Sequence, residues 1–214
     1  MNKLELKKNI YRGTVFALAF SVLMILPAYG QNISKLIIPR FEKGDFVSSS
    51  QYVLTRLMEV LAVGGKAEVI GPELVEYQLQ KKNVNLAPTS ELENILEIGK
   101  QLGGDLVLWG GVDKREITLK RGLSVPYILS KYQHQAQIKV SLKILDVNKG
   151  EMVLAKSFEV FALGDKGTAW LVHPEKEPDI KLSPLEEDKL LREAEDKVVA
   201  DMAKAIFKIL KKGR

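Results

Sequence analysis

The stretch Gln137 to Phe161, QIKVSLKILDVNKGEMVLAKSFEVF, constrains the fold more than any other part of the chain. Ile138, Val140, Leu142 and Ile144 alternate with Gln137, Lys139, Ser141 and Lys143, the period of two that lets a strand bury one face. Asn148-Lys149-Gly150 then reads as a three-residue loop with glycine where a left-handed residue is needed, pairing Val147 with Glu151. That register sets Ile144 opposite Leu154, Val140 opposite Phe158 and Ile138 opposite Val160. On the other face it sets Lys139 opposite Glu159 and Ser141 opposite Ser157. Leu142 opposite Lys156 is the exception on the apolar face. A slip of one residue would turn the whole apolar set into water, so the pairing is firmly specified. No side chain of the hairpin is equipped for catalysis.

The elements before the hairpin follow from period and punctuation. Residues 34–42 (SKLIIPRFE) form a short apolar run suited to a strand buried on both faces, with Pro39 at its end or edge. Ser48, Ser49 and Ser50 are candidate caps for a helix reaching about Val63. Its inner face carries Val53, Leu54, Leu57, Met58 and Leu61, with Arg56 and Glu59 outside. Gly64-Gly65 stops it. Residues 66–70 give a second strand, and Gly71-Pro72 opens a helix to about Lys81 or Lys82, with Glu73 and Glu76 near its positive end. Ser90 and Glu93 form a capping box for a third helix, whose buried side holds Leu92, Ile95, Leu96 and Leu102. Residues 105–112 (DLVLWGGV) are apolar almost throughout, as an interior strand would be. Gly110-Gly111 marks a bulge or a close backbone approach, not a phosphate loop, since no helix and no Lys-Ser or Lys-Thr pair follows. Trp109 belongs to the core.

Two stretches lack a regular period. Residues 114–136 read as a long connection rich in Lys and Arg that holds an apolar and aromatic group, Val125, Tyr127, Ile128 and Tyr132. A connection of that length is either a surface loop or a partner or oligomer contact. Residues 162–182, with Trp170, read as a second irregular stretch that leaves the same end of the hairpin, so the two can form one surface. Val125, Tyr127, Ile128, Tyr132 and Trp170 are therefore the candidate partner-binding residues. The last element is a helix opened by Ser183-Pro184-Leu185-Glu186, with Leu191, Ala194, Val198, Met202, Ala205 and Ile209 at spacings of three and four.

The amino terminus has a different character. Lys3, Lys7, Lys8 and Arg12 precede an uncharged run at residues 14–26, and Pro27 ends it. Ala28-Tyr29-Gly30 offers the small residues of a cleavage site, so residues 1–30 read as a secretory signal and 31–214 as a single mature domain. The run spans only about 20 Å as a helix, short of the roughly 30 Å of a hydrocarbon core. Removing four basic residues and Glu5 lowers the net charge from +5 to +2, which weakens any case for nucleic acid. The chain has no cysteine, hence no disulfide framework and no thiol for a lipid. These points give a periplasmic, exported and unlipidated protein.

Chemistry is sparse. His134 and His173 are the two histidines, both in stretches read as loops. No metal-ligand spacing, nucleophile elbow or cofactor pattern is present, and Glu186-Glu187 suits a helix start better than acid–base work. The reading is therefore no enzyme, no cofactor, no metal and no small-molecule substrate.

The element order is strand, helix, strand, helix, helix, strand, loop, hairpin, helix. It gives an α/β or α+β fold, a mixed sheet of about five strands packed by about four helices. The strand Leu36-Ile37-Ile38-Pro39-Arg40-Phe41, the run from Ile98 to Val112 with its Gly-Asp-strand-Gly pattern, and Leu145-Asp146-Val147-Asn148-Lys149-Gly150-Glu151 together resemble exported bacterial domains of the CsgG (curli assembly), LpoB and TolB amino-terminal type. The resemblance implies a non-catalytic envelope protein that binds other envelope proteins or associates with itself, peripherally to the outer membrane. In its alternative form it implies a subunit of a curli-type secretion ring. The chain departs from the lipidated members in having no cysteine. The curli type also inserts hairpins into a membrane barrel; residues 114–136 lack the alternation of spanning strands and contain Pro126, and residues 162–182 are too charged, which disfavours a pore but not a periplasmic ring.

Overall fold

Leu36 and Ile37 are fully buried in the middle of a sheet, where an uninterrupted β-branched and leucine run belongs. They lie in β1 (Ser34–Ile37). The computed structural model describes residues 34–39, 41, 45–81, 92–125, 129–170 and 181–212. The signal-like segment, Ser90 of the expected capping box, Tyr127, Ile128 and His173 lie outside the described residues. The other elements are α1 (Val47–Val63), β2 (Ala67–Ile70), α2 (Pro72–Lys81), α3 (Leu92–Leu102), β3 (Leu106–Val125), β4 (Leu129–Asp146), β5 (Glu151–Trp170) and α4 (Pro184–Lys212). They form an α+β fold of four helices on one mixed sheet among the described residues.

The sheet has five strands in the order β2-β1-β3-β4-β5. β1 is parallel to both neighbours, β2 and β3, while β3, β4 and β5 form an antiparallel meander. Leu36, Leu108, Ile138, Val140 and Ile144 pack on one face against α1 and α4. Ile37, Val107, Trp109, Leu145 and Val147 pack on the other against α2 and α3. Gly110 permits the β3–β4 approach, because a Cβ there would stand 2.1 Å from the Ser141 carbonyl oxygen.

The β4–β5 register matches the expected one from Ile144–Leu154 outward through Lys139–Glu159 and Ile138–Val160. The turn itself differs. The closing pair is Asp146–Glu151, not Val147–Glu151, and an irregularity between Ile144 and Leu145 restores the register. The cause is Asp146, whose carboxylate accepts from the amides of Asn148 (3.0 Å) and Lys149 (3.1 Å). Val147 is drawn out of the strand as its amide donates to the Asp105 carbonyl at 2.9 Å and its side chain enters the second core. Gly150 closes the turn at φ 68°.

Three helix readings need correction. The serines do not cap α1: Phe46 holds the cap position without a side-chain bond, and Ser49 and Ser50 are buried inside the helix. Leu92 is 44% exposed at the start of α3, whose buried side is Ile95, Ile98, Gly99 and Leu102. On α4, Ala205 and Ile209 are only partly buried, while Glu195 is fully buried in the middle of the apolar stripe.

Candidate partner-binding surface

The largest departure from the sequence reading lies at residues 114–125, 129–136 and 162–170. These are not irregular connections; they continue β3, β4 and β5 as paired strands. At 20 residues, β3 and β5 each span about 65 Å, at roughly 3.3 Å per residue. Burial could not reveal this, because Lys114, Arg115, Glu116, Thr118 and Lys120 put polar groups on both faces. The strand conformation there is imposed by pairing with a register already fixed at its inner end.

Val112 marks where the inner sheet gives way to the outer ribbon, through an irregularity before Lys114. On the face that carries α4, the apolar set of the sheet runs out at Ile117, Ala136 and Ala162. Beyond it the first turns of α4 frame a cleft of about 430 Å³ with Tyr132, His134, Gly164 and Gly167. Tyr132 lies across the neighbouring strand on Gly167, where an added Cβ would meet the ring at 2.1 Å. The Tyr132 and His134 rings meet edge to face, their centroids 6.1 Å apart. His134 is thus a buried strand residue and not a loop histidine. Glu186, facing the cleft, completes the capping box: the Ser183 amide and hydroxyl donate to its carboxylate at 2.8 and 2.7 Å. Those two bonds, with a smaller contribution from His134, hold the Glu186 carboxyl below its usual range.

The opposite face of the ribbon is polar and ordered. Lys114 donates to Gln137 at 3.0 Å and pairs with Glu116 at 2.7 Å. Gln137 donates onward to Glu159, and Ser141 donates to Asp113 at 3.0 Å. Two large apolar side chains stand out on this face along β5: Phe161 is 46% exposed and Leu163 is 53% exposed. Lys120 lies 5.8 Å from the centre of the Phe161 ring. β5 is also the sheet's last strand, so its outer backbone edge has no strand partner among the described residues.

Of the candidate residues read from the sequence, Val125, Tyr132 and Trp170 fall toward the outer end of this ribbon, while Tyr127 and Ile128 lie outside the described residues. Backbone register aligns Val125 with Leu129 and Leu129 with Trp170, one row across all three strands. Tyr132 lies three residues further in, paired with Arg121 and Gly167. Strand pairing therefore brings the ends of the two stretches together. Phe161 and Leu163 were missed, because Phe161 reads as the end of a hairpin with one buried face and Leu163 as part of an irregular stretch. The position of β5 at the sheet's edge, which is not written in its own residues, leaves them bare.

Fold and surface together define an α+β protein whose sheet outgrows its helical layers as an antiparallel ribbon. No protein-family model and no curated protein matches the sequence. Solved structures share the arrangement in part. The putative neuraminyllactose-binding hemagglutinin homolog from Helicobacter pylori is 14% identical, with 86% of this chain and 92% of that one covered at a TM-score of 0.47. The LpoB C-terminal domain from Salmonella enterica is 14% identical over 60% of this chain and 82% of that one, at 0.36. Lipoprotein GNA1162 from Neisseria meningitidis is 14% identical over 59% and 79%, at 0.38. These likenesses say nothing of activity.

Proposed function

We propose that this chain is an exported, non-catalytic envelope protein that binds other envelope proteins through the outer half of its sheet. The observation that carries the reading is β5: a long open edge with Phe161 and Leu163 exposed beside it on a polar, internally hydrogen-bonded face. Such an edge offers backbone donors and acceptors to an extended partner segment, while the two apolar side chains supply anchors. The signal-like start and the absence of a nucleophile–base or metal-ligand pattern support the same reading. The row Val125, Leu129 and Trp170, with Tyr127 and Ile128 close by in the sequence, extends the contact to the ribbon's end.

The test is site-specific photocrosslinking in intact cells, with the photoreactive residue at Phe161, at Tyr127 or at Tyr77 on α2. Adducts with the same envelope proteins from positions 161 and 127, and none from 77, are expected. Adducts from 77 alone, or from none of the three, refute the assignment. A second reading, a self-assembled ring, is favoured by the same open edge, which a second copy can extend. Light scattering with and without detergent decides it, since a strict monomer in both excludes the ring.

A further inference from the structure

The end of the sheet from which the ribbon grows carries a second feature. β1 and β2 are adjacent and parallel, yet their chains leave toward opposite faces. β1 leads to α1 in one core and β2 to α2 in the other. Diverging connections at the carboxyl ends of neighbouring parallel strands open a crevice, the position where ligands sit in sheets of this kind. A cavity of about 580 Å³ occupies it, within the roughly 300–1,000 Å³ range of small-molecule sites. Phe41 from the end of β1, Leu54 and Met58 from α1, and Leu74 from α2 give it an apolar lining, with Ser50 and Glu73 as polar members.

Ser50 decides the assignment. It is 5% exposed, and its Oγ makes no hydrogen bond among the described residues. Ser49, one position earlier and equally buried, donates to Glu195 at 2.5 Å and so belongs to the α1–α4 contact. Ser50 lies on the stripe of α1 that lines the cavity with Leu54 and Met58. A buried hydroxyl without a partner destabilises a fold, and such groups are rare unless something else uses them. The start of α1 lies beside it, and Phe46 gives that helix no side-chain cap. Asp45 and Glu73, both exposed, stand at the starts of the two helices and oppose an anion.

We infer that this crevice binds a neutral, mainly apolar small molecule. Its body packs on Phe41, Leu54, Met58 and Leu74, and a hydroxyl, ester or amide oxygen accepts from the Ser50 hydroxyl. The site is independent of the partner-binding reading of the ribbon.

The test follows the ¹³C-labelled methyl of Met58 in the purified protein during titration with 2-phenylethanol, propylbenzene and 3-phenylpropanoate. A saturable shift with 2-phenylethanol is expected, with the carboxylate at least about tenfold weaker because charge opposes it. Ser50→Ala is expected to weaken 2-phenylethanol about fivefold, to leave propylbenzene within about twofold, and to raise the thermal midpoint by relieving the unpaired hydroxyl. The assignment is overturned by the absence of saturation with every probe. Equal alcohol affinity in Ser50→Ala also overturns it, and so does a lowered midpoint, which would make the hydroxyl structural. A carboxylate binding as tightly as the alcohol overturns the neutral ligand class.

Discussion

Replacing Glu195 with alanine removes the centre of a buried polar junction between α1, α4 and β3. The carboxylate is fully buried and accepts from Ser49 Oγ at 2.5 Å, Arg115 Nε at 3.2 Å and Arg192 Nη1 at 3.0 Å. Its loss orphans the Ser49 hydroxyl and takes a counter-charge from two guanidiniums, of which Arg192 keeps Asp188 at 3.5 Å. Breaking a buried ion pair from one side costs about 3–5 kcal/mol. The Arg115 and Arg192 side chains keep 26% and 36% exposure, so water recovers part of that, and we take ~3 kcal/mol. For a domain of this size, that lowers the melting midpoint by roughly 6–12 °C. The assay is urea denaturation of the wild type, Glu195→Ala, Arg115→Ala and the double variant. The cycle is expected to show a coupling of about 1–2 kcal/mol, because the two side chains touch. Replacing Glu195, Arg115 and Ser49 together with Leu, Leu and Ala is expected to restore most of the stability. A loss below about 1 kcal/mol in Glu195→Ala, or strict additivity with Arg115→Ala, would refute the view that this junction holds α4 to the sheet.

Other outcomes follow from the same geometry. Gly110→Ala forces a Cβ against the Ser141 carbonyl and is expected to cost about 2–4 kcal/mol in denaturant unfolding. Gly167→Ala displaces the Tyr132 ring, with a smaller cost of about 1–3 kcal/mol and loss of the Tyr132–His134 contact in nuclear Overhauser spectra. Because the Glu186 carboxyl titrates below its ordinary value of 4.5, its stabilisation is present above that pH and lost as pH falls through the lowered value. Carboxyl NMR titration is expected to show this, with the midpoint moving back up in Ser183→Ala. Phe161→Lys is expected to leave stability within about 0.5 kcal/mol while abolishing crosslinks from position 127, since it alters an exposed side chain and not the core.

Local chemistry made much of this fold legible. The alternation at Ile138 to Ile144, the Pro72 and Ser183 helix starts and the apolar run at Leu106 to Trp109 each state their structure within a few residues. The outer ribbon was hidden for the opposite reason. Thr118, Lys120 and Gln133 bury nothing in particular, and they are strand because the inner register continues past them. Glu195 was hidden because its partners, Ser49 and Arg115, are 146 and 80 residues away in sequence, so its position on the stripe looked like an ordinary charged interruption. The serine cluster at Ser48 to Ser50 misled in the same way. Its capping chemistry is real in general, but α1 begins one residue before it, and two of the three, Ser49 and Ser50, are buried.

The unequal surroundings of β4 and β5 also imply an unequal response to solvent. β4 has a bonded neighbour on each side along most of its length, so its amides are expected to exchange hydrogen for deuterium only through large openings. Along β5 every second amide points away from β4, so its exchange profile is expected to alternate residue by residue. A partner strand added to that edge would slow the fast half of the alternation and leave the slow half unchanged. A flank contact made by side chains alone would preserve it. The ribbon therefore carries its own backbone reporter of how it is recognised, readable before the partner has been identified.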